Sequence, residues 1–119
     1  MYIGELSHLT GATPRAIRLY ESLNLIQVVR KGSYRVYQTA HIEFVQLIKE
    51  AQSLGVSLAE LQALKNGNND LDWPGVNALL IEKKQQSKEA IEQLNIHVSR
   101  LERYQSLIAE CIKNDENYC

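Results

Sequence analysis

The feature that most constrains this chain is a stretch from about residue 76 to 112 with neither Gly nor Pro, patterned as a helical seam. Leu80, Ser87, Ile91, Leu94, Val98, Leu101, Ile108 and Ile112 follow alternating steps of four and three residues, with Lys84 and Gln105 as polar interruptions. That spacing describes a coiled coil. At 1.5 Å per residue the helix is roughly 55 Å long, too long to bury its stripe against a small head. An intramolecular hairpin is the competing arrangement, but no second long helix follows, and an unpaired stripe would be a large apolar patch. The expectation is a homodimer held by Leu80, Ile91, Leu94, Val98, Leu101 and Ile108. The residues leave parallel and antiparallel pairing open.

The sequence ahead of this stretch has shorter periods. Ile3, Leu6 and Leu9 keep helical spacing, Gly11 interrupts it, and Thr13-Pro14 can cap a second helix with Pro at the tolerated first position. That helix runs to about Leu23, with Ile17 and Leu23 inward and Arg15 and Arg18 outward on neighbouring ground. A helix pair with Gly in its turn reads as a helix-turn-helix, a weak signal by itself. Val28-Val29-Arg30 and Tyr34-Arg35-Val36-Tyr37, separated by Lys31-Gly32-Ser33, then predict a β-hairpin carrying Arg30, Lys31 and Arg35 beside two tyrosines.

Thr39 is the expected cap of a third helix, with Ile42, Val45, Leu47, Ile48 and Ala51 inward and a stop at Leu54-Gly55. Ser57 and Glu60 form a capping box ahead of Leu61 and Leu64. Asn66-Gly67-Asn68-Asn69-Asp70, continued by Leu71 to Pro74, reads as a hinge. The predicted division is a head over residues 1–70 and a dimerisation and effector segment over 71–119. The fold class is mainly α: a winged helix-turn-helix head with a small hairpin wing, followed by a long coiled-coil helix.

Charge is unevenly spread along the chain. Residues 1–40 carry five basic against two acidic side chains, a net +3, and residues 41–119 carry eight against twelve, a net −4. A polyanion would meet the first part. The longest aliphatic run, Ala78 to Ile81, cannot cross a bilayer, and the start lacks a basic and apolar leader, so a cytoplasmic location without membrane association is expected. No phosphate-binding glycine loop, nucleophile-base pair or metal-hydrolase spacing is present, which argues against an enzyme.

These residues together resemble the MerR family of transcription regulators. The likeness rests on Tyr2-Ile3-Gly4-Glu5-Leu6, Thr10-Gly11, Arg15 to Glu21, Leu25-Ile26, Tyr34-Arg35-Val36-Tyr37 and Leu54 to Leu58, in one order over residues 2–65. Past residue 70 it is architectural only. The resemblance implies an antiparallel coiled coil and a dimer that binds a pseudo-palindrome in an overlong promoter spacer. It further implies that a signal makes the dimer distort that DNA so that RNA polymerase can engage both promoter elements, a form of indirect readout. It places Arg15, Arg18 and Tyr20 on the recognition helix with Thr13 and Leu19 facing DNA nearby. Tyr34, Arg35 and Tyr37 fall on the wing, with Arg30 and Lys31 at its start. Arg18 and Arg35 are the stronger expected contacts, since a tyrosine is more often a packed ring. Two departures stand out: Ser33 replaces the usual Gly before the wing Tyr in a loop about two residues shorter, and Leu19 replaces a frequent second Tyr.

Cys111 and Cys119, with seven residues between them, match the spacing of the family's copper-sensing members. As thiolates they would suit a soft monovalent metal ion; the competing reading makes Cys111 a small apolar residue and Cys119 an incidental thiol. His8, His41 and His97 are expected to be ordinary surface or helix residues, and Trp73 to staple the hinge to the coil. The alternative function is a thiol-based metal-binding or redox module with no transcriptional role.

Overall fold

The computed structural model describes residues 1–67 and 69–114. It is mainly helical: α1 (Ile3–Thr10), α2 (Pro14–Ser22), the strands β1 (Val29–Lys31) and β2 (Tyr34–Val36), then α3 (Thr39–Ser53), α4 (Leu58–Ala63) and α5 (Trp73–Asn114). Contacts divide the chain into two units, Met1–Leu79 and Leu80–Cys119.

In the first unit the helix ends obey local chemistry. Thr13 precedes α2 and its Oγ1 accepts from the Ala16 N–H at 3.1 Å, with Pro14 opening the helix. Gly11 ends α1 at φ 75, and the last turn is closed from outside when Lys49 Nζ donates to the Thr10 carbonyl at 3.0 Å. A Cβ at Gly11 would lie 2.9 Å from that Nζ. Ser57 and Glu60 form the expected reciprocal pair, at 3.1 and 2.9 Å.

Helices α2 and α3 end alike. After α2, Asn24 takes φ 59, its N–H bonds Glu21 O and the Leu25 N–H reaches Tyr20 O; after α3, Gly55 and Val56 repeat the pattern onto Gln52 and Ala51. Each is a Schellman stop, and each turns the following apolar residue, Leu25 or Val56, into the core.

That core is built from Leu6, Ile17, Leu25, Ile26, Val45 and Ile48, all at most 1% exposed, together with Tyr20, Tyr37, Phe44, Val56, Leu61 and Leu71. On α3 the inward residues are His41, Phe44, Val45 and Ile48, while Ile42, Leu47 and Ala51 pack partly against them.

One local expectation is corrected. Gln38, not Thr39, is the N-cap of α3; its N–H donates to His41 Nδ1 at 2.8 Å. His41 is a helix residue, as expected, but a buried one: Nδ1 accepts from the Gln38 N–H, and Nε2 lies 2.7 Å from the Gln27 carbonyl.

The segment expected to be a hinge is a bonded corner. Leu71 is buried, Lys65 and Leu71 form an antiparallel bridge, and the Asp72 N–H reaches Leu64 O at 2.7 Å. Asp70 Oδ1 accepts from both the Leu71 N–H and Trp73 Nε1 at 2.9 Å, so Trp73 does act as a staple. At Gly75 a Cβ would sit 2.6 Å from Leu64 Cδ2, so that any larger residue would make the Leu64 and Asp72 side chains shift. Asn68 lies outside the described residues.

In the second unit, the described residues continue α5 and bury no side chain. Leu80, Ile91, Leu94, Val98, Leu101 and Ile108 are each between 40 and 62% exposed. No helix among the described residues is long and apolar enough to cross a membrane.

Candidate nucleic-acid interface

Helix α2 sorts its side chains by period. Ile17 and Tyr20 turn inward, and Arg15, Arg18, Leu19 and Ser22 turn out to line a shallow open concavity with Thr13 and Ala16. Arg15 and Arg18, one turn apart, therefore present two guanidinium groups from a helix anchored on its far side. Leu19, 46% exposed, adds an apolar surface of the kind that can touch a thymine methyl.

Tyr20 does not share that outward face. It is 3% exposed, and its hydroxyl donates to Gln52 Oε1 on α3 at 2.9 Å. The reason is the helical repeat: Tyr20 lies three residues after buried Ile17, on the same side. Tyr37 is likewise buried, with its ring edge-on to His41 at a centroid distance of 5.8 Å. Its backbone pairs with residue 1, the Tyr37 N–H donating to Met1 O at 2.7 Å. Burial pushes both phenols above their ordinary pKa; at Tyr37 the Glu21 carboxylate pushes further the same way, while Arg35, Arg18 and Arg30 pull back. Both tyrosine side chains, expected on the DNA-facing surface, are instead buried in the core.

The wing pairs Val29 with Val36, Arg30 with Arg35 and Lys31 with Tyr34 in antiparallel register. Only the first of its two loop residues, Gly32 at φ 65, has a positive φ, the pattern of a type II′ turn. Arg30, Lys31 and Tyr34 are exposed. Arg35 is held back: its Nε donates to Glu21 Oε2 at 2.7 Å, tying the wing to α2. Sequence reasoning missed this partner, counting Glu21 as a charge and as part of the family motif but giving it no contact. It also missed Tyr2, 57% exposed and 5.8 Å from the Tyr34 ring. Nothing local in the sequence marks that pair, which the Met1–Tyr37 backbone bonds bring together.

At the far end of α5, Cys111 is half-buried and disulfide-bonded, and Cys119 lies outside the described residues. No group of three or more His, Cys, Asp or Glu able to hold a metal exists among the described residues. His8 and His97 are exposed on separate helices.

Residues 1–67 match the family described as MerR HTH family regulatory protein. The whole chain aligns at 30% identity with the HTH-type transcriptional regulator CueR of Vibrio cholerae, covering 86% of it. Across 85% of its length it is 29% identical to the HTH-type transcriptional regulator ZntR homolog of Haemophilus influenzae, covering 67% of that protein. The crystal structure of the transcription regulator PbrR691 from Ralstonia metallidurans CH34 in complex with lead(II) shares the fold, with a TM-score of 0.65 at 23% identity over 93% of this chain and 86% of that one.

Proposed function

Because the chain belongs to the MerR family of helix-turn-helix regulatory proteins, we propose that it is an effector-responsive transcription regulator that binds a pseudo-palindromic promoter element as a homodimer. Arg15, Arg18 and Leu19 enter the major groove, with Thr13 at the helix start. Arg30, Lys31 and Tyr34 lie along flanking phosphates, where they fix register without reading bases. The observation that supports this reading is the sorting of α2 and the wing within one packed unit: Arg15, Arg18, Arg30 and Lys31 are exposed, while Tyr20 of α2 and Tyr37, just after β2, are buried in the core.

Two copies joined through the α5 seam present two recognition helices, matching a two-fold DNA element. The dimer activates by deforming the promoter for RNA polymerase, at a bending cost on the order of 1–6 kcal/mol drawn from these contacts. Footprinting on genomic fragments, followed by titration of the protected duplex at several salt concentrations, tests the reading. Protection of a two-fold element with affinity falling steeply in salt supports it; binding indifferent to sequence and salt contradicts it.

For the effector, CueR, the ZntR homolog and the lead(II) complex of PbrR691 motivate a metal. The chain's own candidates are Cys111 and Cys119, which once reduced would offer two thiolates, a set suited to a soft monovalent ion. Titrating the reduced protein with monovalent copper or silver should produce ultraviolet charge-transfer absorbance that Cys111→Ser and Cys119→Ser each remove, with operator binding retained. An equal absorbance change in the double Ser variant would take both cysteines out of the effector site.

A further inference from the structure

Glu21 puts a carboxylate on the recognition helix, three residues beyond Arg18, where a phosphate-facing surface should avoid negative charge. Its partner Arg35 stands directly opposite Arg30 in the hairpin register, so the two arginine stems leave one face of the wing. Arg30 is exposed, whereas Arg35 turns to Glu21 at 2.7 Å, their side chains 32% and 21% exposed. A pair this open to water contributes little to stability. Its larger consequence is where the charge of Arg35 goes.

We propose that Glu21 is a specificity-determining residue of the DNA interface: it holds Arg35 in a neutral pair, fixing the wing against α2 and keeping one cation per head out of sequence-independent phosphate attraction. The inference rests on the DNA-binding reading above. Each additional phosphate neutralised steepens the dependence of log affinity on log salt by about 0.9 and strengthens binding to any duplex. Releasing Arg35 therefore raises affinity for unrelated DNA, while the loosened wing gives no matching gain at the operator. Removing Arg35 instead leaves Glu21 facing phosphates uncompensated, which weakens binding to every duplex.

The test is a set of equilibrium titrations of the full chain, wild type against E21Q, R35Q and the double variant, on the operator and a scrambled duplex over a salt series, with thermal melts alongside. The expected results are an E21Q salt slope on scrambled duplex steeper by about one per bound head and an operator preference lowered by about tenfold. R35Q should weaken both duplexes without steepening the slope, and the double variant should return the slope to wild type. Equal effects of E21Q and R35Q mean that the pair is only structural and overturn the proposal, as does an unchanged slope in E21Q. Wild type binding both duplexes equally and without salt dependence would instead remove the DNA-binding reading, and this inference with it.

Discussion

The two units of the chain solve the problem of apolar side chains in opposite ways. Met1–Leu79 closes a core in which Leu6, Ile17, Leu25 and Val45 have no exposed surface, whereas in Leu80–Cys119 the described residues bury none of their Leu, Ile or Val side chains. Fully burying one such side chain is worth about 1.5–3 kcal/mol, a stabilisation that the first unit gains within one chain. The contrast teaches that one part of a chain can close its own core while another carries an apolar stripe that the proposed homodimer would cover. Substitutions in the two parts should accordingly be felt in different measurements.

The largest effect is expected from Leu94→Asp. In a two-chain seam the change buries two carboxylates without partners, each costing more than the roughly 2–7 kcal/mol of an unpaired neutral polar group, so the dimer should dissociate and operator affinity fall at least about a hundredfold. Circular dichroism of the head should stay intact. Next comes Ile17→Ala, which opens a cavity behind the recognition helix. It should cost about 2–5 kcal/mol in denaturant titration while leaving the particle size below the transition unchanged. If both variants altered size and stability equally, the two units would not be energetically distinct.

Smaller effects separate the outward surface from the core behind it. Arg18→Ala should weaken operator binding by about 1–3 kcal/mol and leave the melting temperature near wild type, since the side chain is exposed. Unchanged affinity at fixed salt would take Arg18 out of the interface. Lys31→Ala should weaken all duplexes alike and flatten the salt slope by about one for each bound head, with sequence preference preserved. A selective loss at the operator would assign Lys31 a base contact instead.

What could be read from sequence follows from how local each interaction is. The Thr13 cap, the Ser57–Glu60 box and the Gly11 and Gly55 stops involve residues within a few positions of one another, so residue type alone revealed them. The long helix α5 was legible because its period repeats over many turns without Gly or Pro beyond Gly75. The inward turn of Tyr20 follows from the helical repeat after Ile17, but the partner of its hydroxyl, Gln52, lies thirty-two positions away, and the restraint of Arg35 comes from Glu21, fourteen away. His41 is likewise decided by the distant Gln27 carbonyl. Sequence motifs placed these residues on the right elements but did not say which way each would face. The corner at Leu64–Asp72 was masked by its composition: Asn, Gly and Asp signal a turn equally well whether it swings free or is bonded shut.

Sedimentation equilibrium of the full chain in the absence of DNA tests the contrast between the two units most directly. An exposed seam beside a closed head predicts a particle of twice the 13.6 kDa chain mass at micromolar concentration, reduced to a single chain by Leu94→Asp. A wild-type protein that sediments as one chain throughout that range would contradict the assignment of α5 as the dimerisation helix, and with it the pairing of two recognition helices on one operator.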